Sequence, residues 1–130
     1  MDRLHPIDRV KNILLARCAI PRDLGAVTSI GEEEPLQGTG VRRTAIDAVW
    51  QRAEGFYRSG LHPALQLCIR RSGRVVLNRA LGHASGNAPD DHPDTPKVPA
   101  TVETPFCIYS AAKAITAMVI HKLDEKRILH

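Results

Sequence analysis

The chain has 130 residues, of which 43% are hydrophobic and 4% aromatic, and its formal net charge is +4. This length suits one domain, or part of one, with a hydrophobic core, and is too short for two ordinary domains. Scattered basic residues and few aromatic ones argue against a nucleic-acid surface, and no apolar run is long enough for a membrane-spanning helix, so we expect neither partner.

The cysteines and the first residues bear on the cellular compartment. Cys18, Cys68 and Cys107 are an odd number of cysteines and show no C-x-x-C spacing. This pattern argues against a disulfide framework and fits a reducing compartment. The first residues are charged throughout and contain no apolar run of the kind found in a secretory signal. We therefore expect a cytoplasmic protein.

Residues 1–43 are predicted to form a short helix followed by an irregular arm. Apolar residues over positions 6–18 are spaced roughly as one face of an amphipathic helix. From Pro21 to Gly40 the periodicity is lost, and several glycines, two prolines and an acidic run at 32–34 indicate an irregular arm or linker. We treat this segment as separate from residues 44–130, which carry stronger patterns.

An amphipathic helix is predicted at the start of residues 44–130. Thr44 is the expected N-cap, and apolar residues follow it at spacings of three and four. Ser59-Gly60 is the expected end, because glycine readily adopts the left-handed conformation that closes a helix.

A β-hairpin is predicted after this helix. Leu65, Leu67 and Ile69 alternate with other residues, which predicts a strand with one buried face. The turn is expected at residues 71–73, and residues 75–80 are expected to return as the partner strand.

Two further segments complete the chain. Residues 85–100 contain four prolines and are too long for an ordinary connection, so they are interpreted either as a functional cover or as a disordered loop. After Pro105 the sequence is apolar and helical in pattern as far as about Lys126. Helices combined with a hairpin predict an α+β fold.

Ser110 and Lys113 lie at the start of this last helix. Residues three apart on a helix share a face, so the hydroxyl and the amine can come within hydrogen-bonding distance. A lysine acts as a base only when neutral, and burial and nearby positive charge both favour the neutral amine. The helix is apolar nearly all round and is therefore expected to be buried, and its N-terminus disfavours a cation.

This pattern has two interpretations. In the first, Ser110 is a nucleophile and Lys113 is its base, with backbone N–H groups at the helix N-terminus available to an oxyanion. In the second, Ser110 is only an N-cap and Lys113 extends its ammonium into solvent. The local pattern leaves both open.

The wider sequence resembles the opening of the serine β-lactamase-like superfamily, in the branch of class C β-lactamases, D-alanyl-D-alanine carboxypeptidases and family VIII-type esterases. The resemblance covers Thr44 to His130, about two thirds of the chain. It rests on the order of the elements and on two stretches, H-P-A-L-Q-L-C-I-R-R-S-G-R-V-V-L-N-R-A-L-G-H-A and T-P-F-C-I-Y-S-A-A-K-A-I-T-A-M-V-I.

This resemblance implies an α+β fold, an antiparallel sheet packed with helices, represented here by its N-terminal part without the later strands and the helical domain. It also implies that Ser110 forms an acyl-enzyme with a small ester or amide, that Lys113 takes the serine proton, and that the Ser110 N–H provides half of an oxyanion hole. No cofactor is implied, and the six histidines lack the spacing of a zinc site.

Two motifs of that superfamily are not found in the chain. Neither Tyr57 nor Tyr109 begins a Tyr-x-Asn, and no later Lys-Thr-Gly or His-x-Gly follows. We therefore expect the N-terminal portion of a longer hydrolase, inactive by itself, and a cytoplasmic location favours an esterase. The alternative is a non-catalytic or degenerate homologue that serves as a binding or structural module.

Overall fold

The structure, a computed structural model, describes Val10, residues 15–92 and residues 94–129. Most of the helix predicted over residues 6–18 lies outside the described residues. The elements, in chain order, are a 3-10 turn (Gly25–Val27), β1 (Thr28–Ile30), α1 (Arg43–Tyr57), β2 (Ala64–Arg71), β3 (Arg74–Ser85), β4 (Val98–Pro99), a second 3-10 turn (Tyr109–Ala111) and α2 (Ala112–Glu125). This arrangement confirms the predicted α+β class.

Strand β3 lies at the centre of the sheet. It pairs antiparallel with β1 on one side and with β2 on the other, and β4 pairs with its C-terminal end. The predicted hairpin is confirmed, and its two-residue turn has positive φ angles at Ser72 (52°) and Gly73 (80°), as tight hairpin turns require. Strand β3 extends to Ser85, beyond the predicted end at residue 80.

The hydrophobic core lies between α1 and the sheet. The helix contributes Ile46, Trp50 and Tyr57, all buried, and the predicted inward face of β2 packs against the same core. The helix begins at Arg43, so Thr44 is not its N-cap, and the preceding residue, Arg42, makes no capping bond through its side chain. Its predicted end is confirmed, because Gly60 has a φ of 72° and donates its N–H to Tyr57 O.

The arm is less irregular than predicted. Strand β1 pairs with β3, and the backbone then continues beside β3, with Gly31 N–H donating to Asn78 O at 2.8 Å and Glu34 N–H to Val75 O at 2.7 Å. The local sequence does not reveal this strand, because three residues are too few to show a periodicity. The pairing also depends on a partner that is distant in the chain.

Glu33 fixes the arm through an ion pair with the sheet. Its carboxylate accepts hydrogen bonds from Arg79 Nε at 2.6 Å and from Arg79 Nη2 at 3.0 Å. The Arg79 guanidinium also lies 5.4 Å from the centre of the Trp50 ring, within the range of a cation–π contact. The acidic run therefore supplies a half-buried partner for the buried Arg79.

The proline-rich loop, residues 85–100, is tied to the chain just before the arm. The buried Asn87 donates from Nδ2 to Ala19 O at 3.0 Å and accepts from Lys97 Nζ at 2.8 Å. Strand β4 lies at the margin of the sheet, where the missing N–H of Pro99 is tolerated. The described part of this loop is thus held by specific contacts.

Helix α2 is not buried, contrary to the prediction. Its side chains are exposed along its length except for a half-buried Leu123, and Met118 and Ile115 retain 69% and 56% of their accessible surface. The buried core contains no residue of α2. The sequence shows that this helix is apolar, but it does not show what covers it. No helix among the described residues is long and apolar enough to cross a membrane.

Candidate active site

Ser110 occupies the middle of the 3-10 turn that leads into α2. Tyr109, the residue before it, has a φ of 44°, which turns the backbone sharply into the helix. The N-cap position of α2 belongs to Ala111, and no side chain caps either the turn or the helix. The structure therefore does not support the interpretation of Ser110 as an N-cap.

The Ser110 and Lys113 side chains are in direct contact. Lys113 Nζ donates a hydrogen bond to Ser110 Oγ at 3.0 Å. This separation lies within the range in which a neutral amine accepts a proton from a hydroxyl nucleophile. The predicted pair is thus brought together by the three-residue helical spacing, and its catalytic role stays a prediction.

The surroundings of the pair differ from the expectation. Both side chains are exposed, as is the rest of the 3-10 turn and the first turn of α2. The apolar covering expected around the pair is therefore absent among the described residues. The position at the N-terminal end of a helix remains, and there the helix dipole disfavours a cation and favours a developing oxyanion.

The segment before Ser110 is held by the sheet. A turn at residues 101–104 is closed by Thr104 N–H, which donates to Thr101 O at 3.1 Å, and by Thr101 N–H, which donates to Thr104 Oγ1 at 2.8 Å. Gln66 on β2 donates from Nε2 to both carbonyls, at 2.7 Å to Thr101 O and 3.1 Å to Thr104 O. Just before the turn, Ala100 N–H donates to Gly82 O on β3 at 2.9 Å.

Sequence reasoning missed Gln66. The alternation of β2 identifies it only as a residue on the outward face, where a glutamine needs no special explanation. Its partners lie more than thirty positions along the chain, in a segment without periodicity. No local signal could have identified the contact.

The other nucleophilic and metal-binding groups do not join this pair. Cys18 is buried, and burial, followed by the negative charge of Asp91, raises the pKa of its thiol. Cys107, three residues before Ser110, is exposed. His83 is buried within β3, and burial, together with the positive charge of Lys97, lowers the pKa of its imidazole. Among the described residues, no group of three His, Cys, Asp or Glu side chains could hold a metal ion.

Comparison with known proteins adds one finding. A family model described as Beta-lactamase matches residues 41–130, a range that contains α1, the hairpin, the proline-rich loop, Ser110 and Lys113. No match to this chain was found among curated proteins or among solved structures.

Proposed function

The chain belongs to the Beta-lactamase family, and on that premise we propose that Ser110 and Lys113 are the nucleophile and base of a serine hydrolase. The observation that carries the proposal is the 3.0 Å contact between Lys113 Nζ and Ser110 Oγ at the entrance to α2. A serine hydroxyl is a weak nucleophile by itself and needs an adjacent group to remove its proton.

The proposed reaction is acyl transfer in two steps. Ser110 Oγ attacks the substrate carbonyl carbon while its proton passes to the neutral Lys113 amine. The resulting ammonium then gives the proton to the departing alcohol or amine, which leaves an acyl ester on Ser110, and water hydrolyses this ester in the second step. The Ser110 N–H lies at a helix entrance, where N–H groups lack intrahelical partners, and would stabilise the oxyanion.

For the substrate we propose a small carboxylic ester, with a small amide or β-lactam as the alternative within the same chemistry. Cys18, Cys68 and Cys107 are unpaired, which fits a reducing, cytoplasmic compartment better than an extracytoplasmic one. In such a compartment a cell-wall peptide would not be within reach.

We further propose that residues 1–130 are the N-terminal portion of a longer enzyme and are inactive alone. The sequence contains neither Tyr-x-Asn nor a later Lys-Thr-Gly or His-x-Gly. The apolar side chains of α2 also lack a covering layer among the described residues. Both observations are what a partial hydrolase domain would give.

The direct test is ester hydrolysis by the full-length protein with p-nitrophenyl acetate. We expect turnover that Ser110→Ala abolishes and that Ser85→Ala, at an exposed serine at the end of β3, leaves unchanged. Equal turnover by the unmodified protein and by Ser110→Ala, with both folded, would rule out Ser110 as the nucleophile.

One observation favours a second candidate, a non-catalytic homologue that serves as a binding or structural module. The Ser110–Lys113 pair is exposed to solvent in the described structure, although the sequence predicted a buried helix around it. This candidate predicts that Ser110→Ala leaves every function of the protein intact. A large loss of turnover in that variant would exclude it.

A further inference from the structure

The Gln66 side chain connects the sheet to the segment that leads to Ser110. Both of its hydrogen bonds come from one amide nitrogen, Nε2, and both end on backbone carbonyls of the 101–104 turn. An NH2 group has two hydrogens, so this nitrogen can satisfy both carbonyls at once. A methionine at this position would have a similar length and no donor for either carbonyl.

The Gln66 backbone lies in the central, paired part of the sheet. Gln66 pairs with Ala80 on β3, and Ala80 in turn pairs with Ser29 on β1. Ala80 is fully buried. The Gln66 backbone is therefore fixed by the middle of the sheet. The side chain extends from this fixed point to the 101–104 turn.

The segment between the turn that Gln66 holds and Ser110 is short. The turn that Gln66 holds ends at Thr104, and only residues 105–108 separate it from the 3-10 turn that contains Ser110. These four residues form no regular structure. The position of Ser110 relative to the sheet therefore depends on how firmly the 101–104 turn is held.

We propose that Gln66 is a positioning residue for the Ser110 nucleophile, an inference that rests on the proposed function. Gln66 touches neither Ser110 nor the reacting atoms. It fixes the turn from which the chain runs to Ser110, and so fixes the place from which the hydroxyl attacks the carbonyl. Misplacement of reacting groups by about 1 Å costs up to about 100-fold in rate, even when the change lies outside the chemistry.

The experiment is single-turnover labelling of the full-length protein with a fluorophosphonate at several concentrations, which separates the maximal rate of serine modification from the half-saturating concentration. Gln66→Met keeps a side chain of similar length and removes both donors. Gln51→Met makes the same change at an exposed position of α1 and is the matched control.

We expect Gln66→Met to lower the maximal labelling rate by about 10-fold to 100-fold, with a half-saturating concentration within about twofold of the unmodified protein. Gln51→Met should behave as the unmodified protein. A Gln66→Met protein that is labelled at the unmodified rate, or that changes only in half-saturation, overturns the inference.

Gln66→Glu provides a readout that lost stability alone would not move. An ionised glutamate places acceptor oxygens against two carbonyls, whereas a protonated one can donate one hydrogen bond. The labelling rate of Gln66→Glu relative to Gln66→Met should therefore rise as the pH falls from about 7 to about 5. A constant ratio overturns the inference even if Gln66→Met folds poorly.

The two proposals fail in different ways. If the folded, unmodified protein is not labelled at Ser110, the proposed function and this inference both fall. If it is labelled there and Gln66→Met is labelled equally fast, only the role of Gln66 falls.

Discussion

At the scale of single residues, the Ser110–Lys113 pair was predictable because its geometry is local. Three-residue spacing on a helix places the two side chains on one face wherever the helix lies. The exposure of the pair was not predictable, because it depends on what packs over α2. The sequence also concealed the partners of Gln66 and Glu33, whose contacts join residues far apart along the chain.

Replacement of Lys113 tests the proposed base. Lys113→Met should lower the rate of ester hydrolysis by the full-length protein by about 100-fold to 10,000-fold, since general-base catalysis contributes on this order. Lys122→Met is the control, because Lys122 lies on the same helix and its ammonium binds Glu125 rather than Ser110. Equal losses in both variants would indicate a general effect on α2.

The Glu33–Arg79 pair predicts an acid-sensitive component of stability. The hydrogen bonds from Arg79 lower the pKa of Glu33 below its usual value. When the pKa of a carboxyl is lower in the folded than in the unfolded protein, its contribution to stability is fully present above the pKa of the unfolded state. That contribution is lost as the pH falls through the pKa of the folded state. Glu33→Gln should therefore lower the free energy of unfolding by about 2 to 3 kcal/mol at pH 7 and by less at pH 3.

Urea unfolding of the 130-residue chain at the two pH values measures this difference. Glu32→Gln, an exposed neighbour in the same acidic run, is the control and should have little effect at either pH. A Glu33→Gln effect of the same size at pH 3 and pH 7 would contradict the assignment, because the ion pair would then not be its source.

At the scale of elements, the hairpin and α1 were predictable and the arm was not. Alternating apolar residues and a Ser-Gly turn specify the hairpin by themselves, and apolar spacing specifies α1. Strand β1 instead forms only because β3 offers it a free edge. The length of β3 was underestimated because every residue from Val76 to His83 is buried except the half-buried Asn78, and a strand buried on both faces does not alternate.

Gly82 on β3 lies in close contact with the end of α1 and the start of β2. Its φ is 103°, and a Cβ at this position would collide with Pro63 O and with the Tyr57 ring. Gly82→Ala should lower the free energy of unfolding by about 3 kcal/mol or more, because the obstructing atoms belong largely to backbone.

Gly73→Ala is the matched control for Gly82→Ala. Gly73 also has a positive φ, of 80°, but a Cβ there would meet nothing within 4 Å. Gly73→Ala should lower the free energy of unfolding by only about 1 kcal/mol, because it adds conformational strain without a steric collision. Similar unfolding midpoints for the two variants in urea would contradict the close packing of Gly82 against α1.

At the scale of the whole molecule, stability is concentrated between α1 and the sheet, and α2 lies outside that core. Composition predicted a domain, or part of one, with a core, and the α+β class followed from the element patterns. The sequence did not predict which elements are buried, because an apolar helix has the same sequence pattern whether or not another layer covers it.

Hydrogen exchange of the 130-residue chain tests this distribution. Amides of β3 and α1 should be protected by close to the full free energy of unfolding, whereas amides of α2 should exchange much faster, because local opening there exposes little additional apolar surface. Exchange followed by NMR, residue by residue, gives the comparison. Protection of α2 equal to that of β3 would mean that the helix is packed into the core.

The most direct measurement of the central claim is the identification of the modified residue by mass spectrometry after the full-length protein reacts with a fluorophosphonate. The account predicts a single adduct on the peptide that contains Ser110, absent from Ser110→Ala and formed more slowly in Lys113→Met. A folded full-length protein that carries no adduct at Ser110, or that is modified there equally fast without Lys113, would contradict it.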